Sequence, residues 1–384
     1  VRIDGDWRRG AMLQRFMAAM SAKGYQILFV GGCVRNAALG APVADLDLAT
    51  DAKPEEVTRI AEDLSLKVIP TGIAHGTVTV IADGQPLEVT TFRRDVETDG
   101  RRAVVAFATD IAEDAMRRDF TMNALYAEAD GTVRDPLGGL PDLHARCVRF
   151  VGDADQRIAE DYLRILRFFR FHAWYGAPEE GLDADAVAAC AAGAEGLAHV
   201  SAERIGHEMR RLLAAPDPAP ATASMAQTGV LMRVLPGAET APLAPLVHLE
   251  DLTGTAPDWR RRLVALGGEG VAERLRLSRA EARHLATLRA ALGSEAGLAE
   301  LGWRHGADIA RDVALIRAAS FGVLPPHDMD TQIALGAEAT FPVRAADLPS
   351  ETTGAEIGQM LRRLQQDWIA SNFSLGRAEL LASL

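Results

Sequence analysis

A chain of 384 residues has room for two or three domains and a large buried core, and its 48% hydrophobic and 24% charged residues fit a soluble globular protein. The net charge of −12 argues against a passive nucleic-acid binder, and the lack of any run of about 18 apolar residues argues against a membrane span. Cys33, Cys147 and Cys190 are few and scattered, which fits reduced thiols in the cytoplasm and gives no zinc pattern.

The N-terminal VRIDGDWRRG lacks the apolar core of a secretory signal. Residues 8–24 then show helical periodicity, with Met12, Phe16, Met17 and Met20 on one side. The stretch 27–50, ILFVGGCVRNAALGAPVADLDLAT, reads as an apolar strand, a Gly-Gly turn, a short helix, a Gly-Ala-Pro turn and a second strand. Gly31 and Gly32 let backbone N–H groups approach a phosphate, and Arg35 is close by. Asp45 and Asp47 are two residues apart on a strand, so both carboxylates leave one face. Two carboxylates beside a phosphate-sized turn suit a hard divalent cation, most simply Mg²⁺. The stretch points to a metal-dependent reaction on a nucleoside triphosphate.

A helix is expected over 51–63, with Pro54 near its start, followed by two strands over 77–82 and 87–92 joined by the hairpin signal Asp83-Gly84. His75 reads as a turn or packing residue. In the second hairpin strand Glu88 and Thr90 share one face, and Leu87 and Val89 share the other. Residues 94–112 are polar and charged and read as a mobile loop. RRDFTMNAL follows at 117–125, and a single long helix is expected over 157–175. Ser201 caps another helix, 215–221 is Pro-rich and marks a boundary, and the remainder is mostly helical. The arginines at 260–262, 274, 276, 279 and 283 are candidate phosphate contacts, although arginine pairs along a helix also serve as solvated faces.

GGCVRN followed by DLD resembles the GG-x-V-R-D and D-x-D motifs of the class II nucleotidyltransferases of the DNA polymerase β superfamily, the bacterial tRNA CCA-adding enzymes and poly(A) polymerases. Asn36 stands where that family usually has Asp. The resemblance extends through RRDFTMNAL, through Glu160-Asp161-Tyr-Leu-Arg164 against an E-D-x-x-R motif, and through the E-R-x-x-x-E of residues 203–208. It is specific over roughly 27–211.

The resemblance implies an α+β protein, with a small mixed α/β head over 1–146, an all-helical neck over 147–216, and a helical body and tail over 217–384 that bind tRNA. It implies a third acidic residue near Glu88, joining Asp45 and Asp47, with a solvent-face charge as the alternative reading of Glu88. Gly31, Gly32 and Arg35 would hold the triphosphate, Arg118 and Asp119 would address phosphate and ribose near Asn123, and Mg²⁺ would be the cofactor. The flexible loop implied near 94–112 favours complete CCA addition.

The Asp161 and Arg164 pair has a chemistry of its own. Cytosine and adenine both place an exocyclic amine beside an unprotonated ring nitrogen. A carboxylate accepts from the first and a guanidinium donates to the second. Guanine and uracil reverse that pattern, and each unpaired buried group costs roughly 1–3 kcal/mol. The expected function is therefore template-independent addition of the 3′ CCA of tRNA from CTP and ATP. Poly(A) polymerase is the nearest alternative, disfavoured because 70–77 lacks that class's arginine-rich run, and a CC-only or A-only enzyme is another.

Overall fold

The computed structural model describes residues 1–70, 72, 76–99, 102–177, 179–349 and 354–384. The chain divides into two compact units, Val1–Val234 and Leu235–Leu384. The reading at His75, and parts of those over 70–77 and 94–112, fall outside the described residues.

The first unit opens with helix α1 (Ala11–Ala22), which buries Leu13, Phe16, Met17 and Met20 as its periodicity requires. Strand β1 (Ile27–Val30) is buried along its whole length and leads through Gly31 into helix α2 (Gly32–Ala38). Strand β2 (Leu46–Thr50) and helix α3 (Pro54–Asp63) follow, the helix starting at the proline that its fixed φ favours. Then come β3 (Lys67–Ile69), β4 (Thr77–Ala82) and β5 (Gln85–Thr91). The turn between β4 and β5 has Asp83 at φ 51° and Gly84 at φ 76°, the left-handed pair that suits a two-residue hairpin. The Asp83 carboxylate also accepts from the Met12 and Leu13 amides at 3.0 and 3.1 Å, capping α1 from outside its own segment.

Past β5 the chain forms β6 (Arg93–Asp99), β7 (Arg102–Phe107) and helix α4 (Ile111–Met116). The expected loop over 94–112 is thus largely an antiparallel two-stranded ribbon. Short strands β8 (Tyr126–Ala127) and β9 (Val133–Arg134) complete a seven-stranded sheet of order β3-β4-β5-β2-β1-β8-β9. Its pairs are antiparallel except β2 and β5, which run parallel and set Asp47 opposite Glu88.

Helix α5 (Gly139–His144) closes this α/β part, and the chain turns helical with α6 (Ala154–Glu160), α7 (Leu163–Tyr175), α8 (Ala184–Gly193), α9 (Ala202–Leu213), α10 (Ala219–Gln227) and α11 (Val230–Val234). The single helix expected over 157–175 is in fact two. Asp161 leaves the helical region at φ −155°, ψ 103°, and its carboxylate accepts from the Leu163 amide at 3.1 Å. An aspartate that caps the next turn competes with continuation of the previous one. Phe120, Phe150, Phe168 and Phe171 then fasten α7 to the RRDF segment, with ring centroids 5.0 Å apart for Phe120–Phe150 and 5.1 Å for Phe120–Phe171. Each such pair adds roughly 0.5–1.5 kcal/mol beyond area burial.

The second unit comprises α12 (Leu243–Leu252), α13 (Trp259–Leu266), α14 (Val271–Arg274), α15 (Arg279–Leu292), α16 (Leu298–His305), α17 (Ala307–Phe321), α18 (Met329–Glu338), α19 (Gly354–Ala370) and α20 (Arg377–Leu381). Its core holds an ion cluster. Glu250 accepts from Arg261 at 2.6 Å and from Arg262 at 2.7 Å, and Arg261 also donates to Asp312 at 2.7 Å. All four side chains are buried. Arg261 and Arg262 are therefore interior counter-ions, not the phosphate contacts their sequence suggested, while Arg274, Arg276, Arg279 and Arg283 are exposed. No helix among the described residues is long and apolar enough to cross a membrane.

Candidate active site

Gly31 sits at φ 69°, ψ −118°, a conformation that disfavours a side chain, and its amide donates to the Leu125 carbonyl at 3.0 Å. A Cβ there would lie 3.6 Å from Arg118 Nη1, so the turn and that guanidinium face each other closely. Arg118 donates from Nε to the Tyr126 hydroxyl at 3.0 Å and from Nη2 to Asp114 at 2.9 Å. Its Nη1 group has no hydrogen bond among the described residues and is left to meet an anion at the turn.

Asp114 is the residue that sequence reasoning missed. It is 1% exposed and accepts from Arg117 Nε at 2.8 Å, Arg118 Nη2 at 2.9 Å and the Tyr126 hydroxyl at 2.7 Å. Burial raises its pKa, but the charges of Arg118 and Arg117 outweigh this and hold the carboxyl below its usual range. Its signal was present, since it stands three and four residues before the arginine pair on a helical stretch.

The three carboxylates lie at the sheet's centre. Asp45 is exposed just before β2, Asp47 is half-buried on β2, and Glu88 is exposed beside it on β5. None accepts a hydrogen bond from a side chain among the described residues. Burial and the neighbouring Glu88 push the Asp47 carboxyl up, Asp45 adds to this, and Arg118 opposes it. Among the described residues no three His, Cys, Asp or Glu side chains converge on one metal-sized point. The carboxylates still fit a hard cation by chemistry: oxygen donors, mutually repelling, with no cationic side chain bonded to them.

Other sequence candidates serve as fastenings. Arg35 is buried, donating to Asn36, to Asn123 and to the Tyr175 hydroxyl at 2.8 Å, with its guanidinium 4.1 Å from the Tyr175 ring centroid. Burial lowers its pKa, against the opposing pull of Tyr175 and Asp119. Asp119 spends Oδ1 on the Phe120 amide and Asn123, both at 2.9 Å, and Oδ2 on Arg167 Nε at 2.8 Å. Burial raises its pKa, but Arg167 and these hydrogen bonds prevail and bring it down to about 2. Asp119, Asn123 and Arg35 thus tie the α/β part to α7.

Asp161 and Arg164 flank the helix break, the Arg164 amide donating to the Asp161 carbonyl at 2.9 Å, and no hydrogen bond joins their side chains. Asp161 Oδ2 accepts from Arg204 at 2.7 Å. Arg164 uses Nη1 on Glu160 and on the Arg157 carbonyl, the latter at 2.7 Å, which leaves its Nε and Nη2 groups without a hydrogen bond among the described residues.

Residues 27–149 match the family of the poly(A) polymerase head domain, and residues 181–241 match that of a probable RNA- and SrmB-binding site of polymerase A. Over those two regions the chain is similar to the class II tRNA nucleotidyltransferase and poly(A) polymerase family. Nucleotidyltransferases of this family generally use divalent metals. A CCA-adding enzyme of Geobacillus thermodenitrificans is 44% identical over 220 residues, covering 57% of this chain and 52% of that protein. Human mitochondrial CCA tRNA nucleotidyltransferase 1 is 42% identical over 190 residues, covering 49% and 44%. The chain therefore spans about half the length of the curated relatives it matches. The crystal structure of the Bacillus stearothermophilus CCA-adding enzyme in complex with CTP superposes with a TM-score of 0.74 at 29% identity, covering 94% of this chain and 92% of that one. A Thermotoga maritima CCA-adding enzyme complexed with tRNA shares the fold at TM-score 0.68 and 17% identity, covering 96% and 93%.

Proposed function

We propose that this chain is a cytoplasmic, template-independent nucleotidyltransferase that adds or repairs the 3′-terminal CCA of tRNA from CTP and ATP. The observation that carries the reading is the pairing of Asp47 with Glu88 across β2 and β5, with Asp45 just before β2 and the unspent Arg118 Nη1 group at the Gly31-Gly32 turn. In the reaction the RNA 3′-hydroxyl oxygen bonds to the α-phosphorus, the bond to the bridging oxygen of the β-phosphate breaks, and pyrophosphate leaves. Asp45 and Asp47, with Glu88, would hold Mg²⁺, which supplies acidification of that hydroxyl and neutralises charge on the leaving pyrophosphate. Arg118 binds the triphosphate, and Asp114 and Tyr126 hold its plane. Arg164 presents Nε and Nη2 to a ring nitrogen while Asp161 accepts from the exocyclic amine. Arg35, Asp119 and Asn123 act by keeping α7, and with it the base-reading pair, at a set distance from the turn. In domain terms, 1–146 is the catalytic head, 147–216 the neck that selects the base, and 217–384 the part that binds tRNA.

The test is to incubate the protein with Mg²⁺, all four nucleotides and tRNA ending at the discriminator base, and to sequence the 3′ ends. Extension stopping at CCA is expected, abolished by Asp45→Ala and extended to wrong bases by Asp161→Ala. A long A tail, CC alone, or no extension would overturn the reading.

A further inference from the structure

Asn36 is held on two sides. Its Oδ1 accepts from Arg35 Nε at 3.1 Å and Nη2 at 2.9 Å, while its Nδ2 donates to the Pro42 carbonyl at 2.9 Å. A guanidinium only donates and a carbonyl only accepts, so the opposite amide orientation would set donor against donor and acceptor against acceptor. The Asn36 backbone carbonyl also accepts from the Ala41 amide at 2.8 Å. One residue thus grips the segment after α2 through both its main chain and its side chain.

That segment leads to a carboxylate of the site. Pro42 stands three residues before Asp45, and residues 41–45 have no regular secondary structure of their own. Their path is set by the grip at Pro42 on one side and the start of β2 on the other. Arg35, in turn, is anchored by Asn123 and by the Tyr175 hydroxyl at the end of α7. A continuous line of hydrogen bonds therefore runs from α7 through Arg35 and Asn36 to the residues preceding Asp45.

We propose that Asn36 is a positioning residue for Asp45, coupling Arg35 to the Pro42 carbonyl and so fixing where the Asp45 carboxylate meets Asp47. This role rests on the reading of Asp45 and Asp47 as the metal-holding pair. It explains an amide where the related motif has aspartate. A carboxylate would keep the bonds from Arg35 and add charge to them, but it has no proton to give Pro42 and would press oxygen against oxygen. In this chain, restoring the family's aspartate weakens the site.

The test uses the full chain carrying Asn36→Asp, with Mn²⁺ binding followed by electron paramagnetic resonance in the absence of nucleotide and tRNA. Thermal unfolding and steady-state CTP incorporation are measured alongside. The variant is expected to melt close to the wild-type temperature, because the charge added to the bonds from Arg35 offsets the lost bond to Pro42. Its Mn²⁺ affinity is expected to fall about five- to tenfold, the ratio that losing one such hydrogen bond gives. Its kcat should fall by a similar factor, with KM for CTP changed less than about twofold. Asn36→Ala, which loses both arms, should show the weaker Mn²⁺ binding together with a lower melting temperature. Wild-type Mn²⁺ affinity and kcat in Asn36→Asp would overturn the proposal. If instead Asp45→Ala leaves Mn²⁺ binding intact and the wild-type chain extends no tRNA, the metal-site reading fails and this role falls with it.

Discussion

Replacing Asp119 by asparagine isolates one charge in the fastening between the α/β part and α7. The carboxyl is 9% exposed and its pKa is brought from an ordinary 3.8 down to about 2, despite burial, by Arg167 and three hydrogen bonds. At roughly 1.4 kcal/mol per pH unit, that depression is worth about 2 kcal/mol to the folded state. Because the folded pKa lies below the unfolded one, this stability is fully present above about pH 4 and is lost as pH falls toward 2. The neutral side chain of Asp119→Asn would keep the bond from the Phe120 amide but leave Arg167 without its counter-ion, apart from Glu208 at 3.9 Å. Urea unfolding of wild type and Asp119→Asn, from pH 7 down to pH 3, should show a gap of about 2 kcal/mol that begins to close below pH 4. A gap that stays constant over that range, or none at pH 7, would refute the assignment of the charge as the source of the hold.

Asp114→Asn should lower stability by about 2–4 kcal/mol, less than a fully buried pair because Arg117 and Arg118 keep some contact with water. It should also reduce kcat/KM for CTP more than for tRNA, measured by initial-rate kinetics, since Arg118 loses its aim. Glu250→Gln removes the carboxylate charge that Arg261 and Arg262 share in the second unit while Arg261 keeps Asp312, and a loss of about 3 kcal/mol is expected from hydrogen exchange of the α13 amides.

The local parts of the fold were legible from sequence because their causes are local. The Asp83-Gly84 turn, Pro54 at the start of α3 and the alternation of Leu87, Glu88 and Val89 each depend on neighbours within a few residues. The break at Asp161 was not legible, because apolar periodicity continues across it through Ile158, Tyr162 and Ile165 while the carboxylate caps the next turn. The ribbon of β6 and β7 was missed since RRDVETD shows no apolar alternation. Arg35 and Asp119 were recognised as important but given contacts with substrate. Their partners, at positions 123, 175 and 167, are brought to them only by tertiary packing. Arg261 and Arg262 looked like surface charge for the same reason, their counter-ions Glu250 and Asp312 lying on other helices.

The parallel pairing of β2 with β5 joins Asp47 to Glu88 across 41 positions of sequence, and the same pairing aligns Leu46 with Leu87 and Leu48 with Val89. Sliding β5 by one residue would carry Glu88 inward and Leu87 out, while the tight β4–β5 turn opposes any slip. A molecule with misplaced carboxylates is thus also one with a ruined interior. Folded but inert molecules should be scarce in any preparation, and lost specific activity should track lost near-ultraviolet dichroism of the first unit.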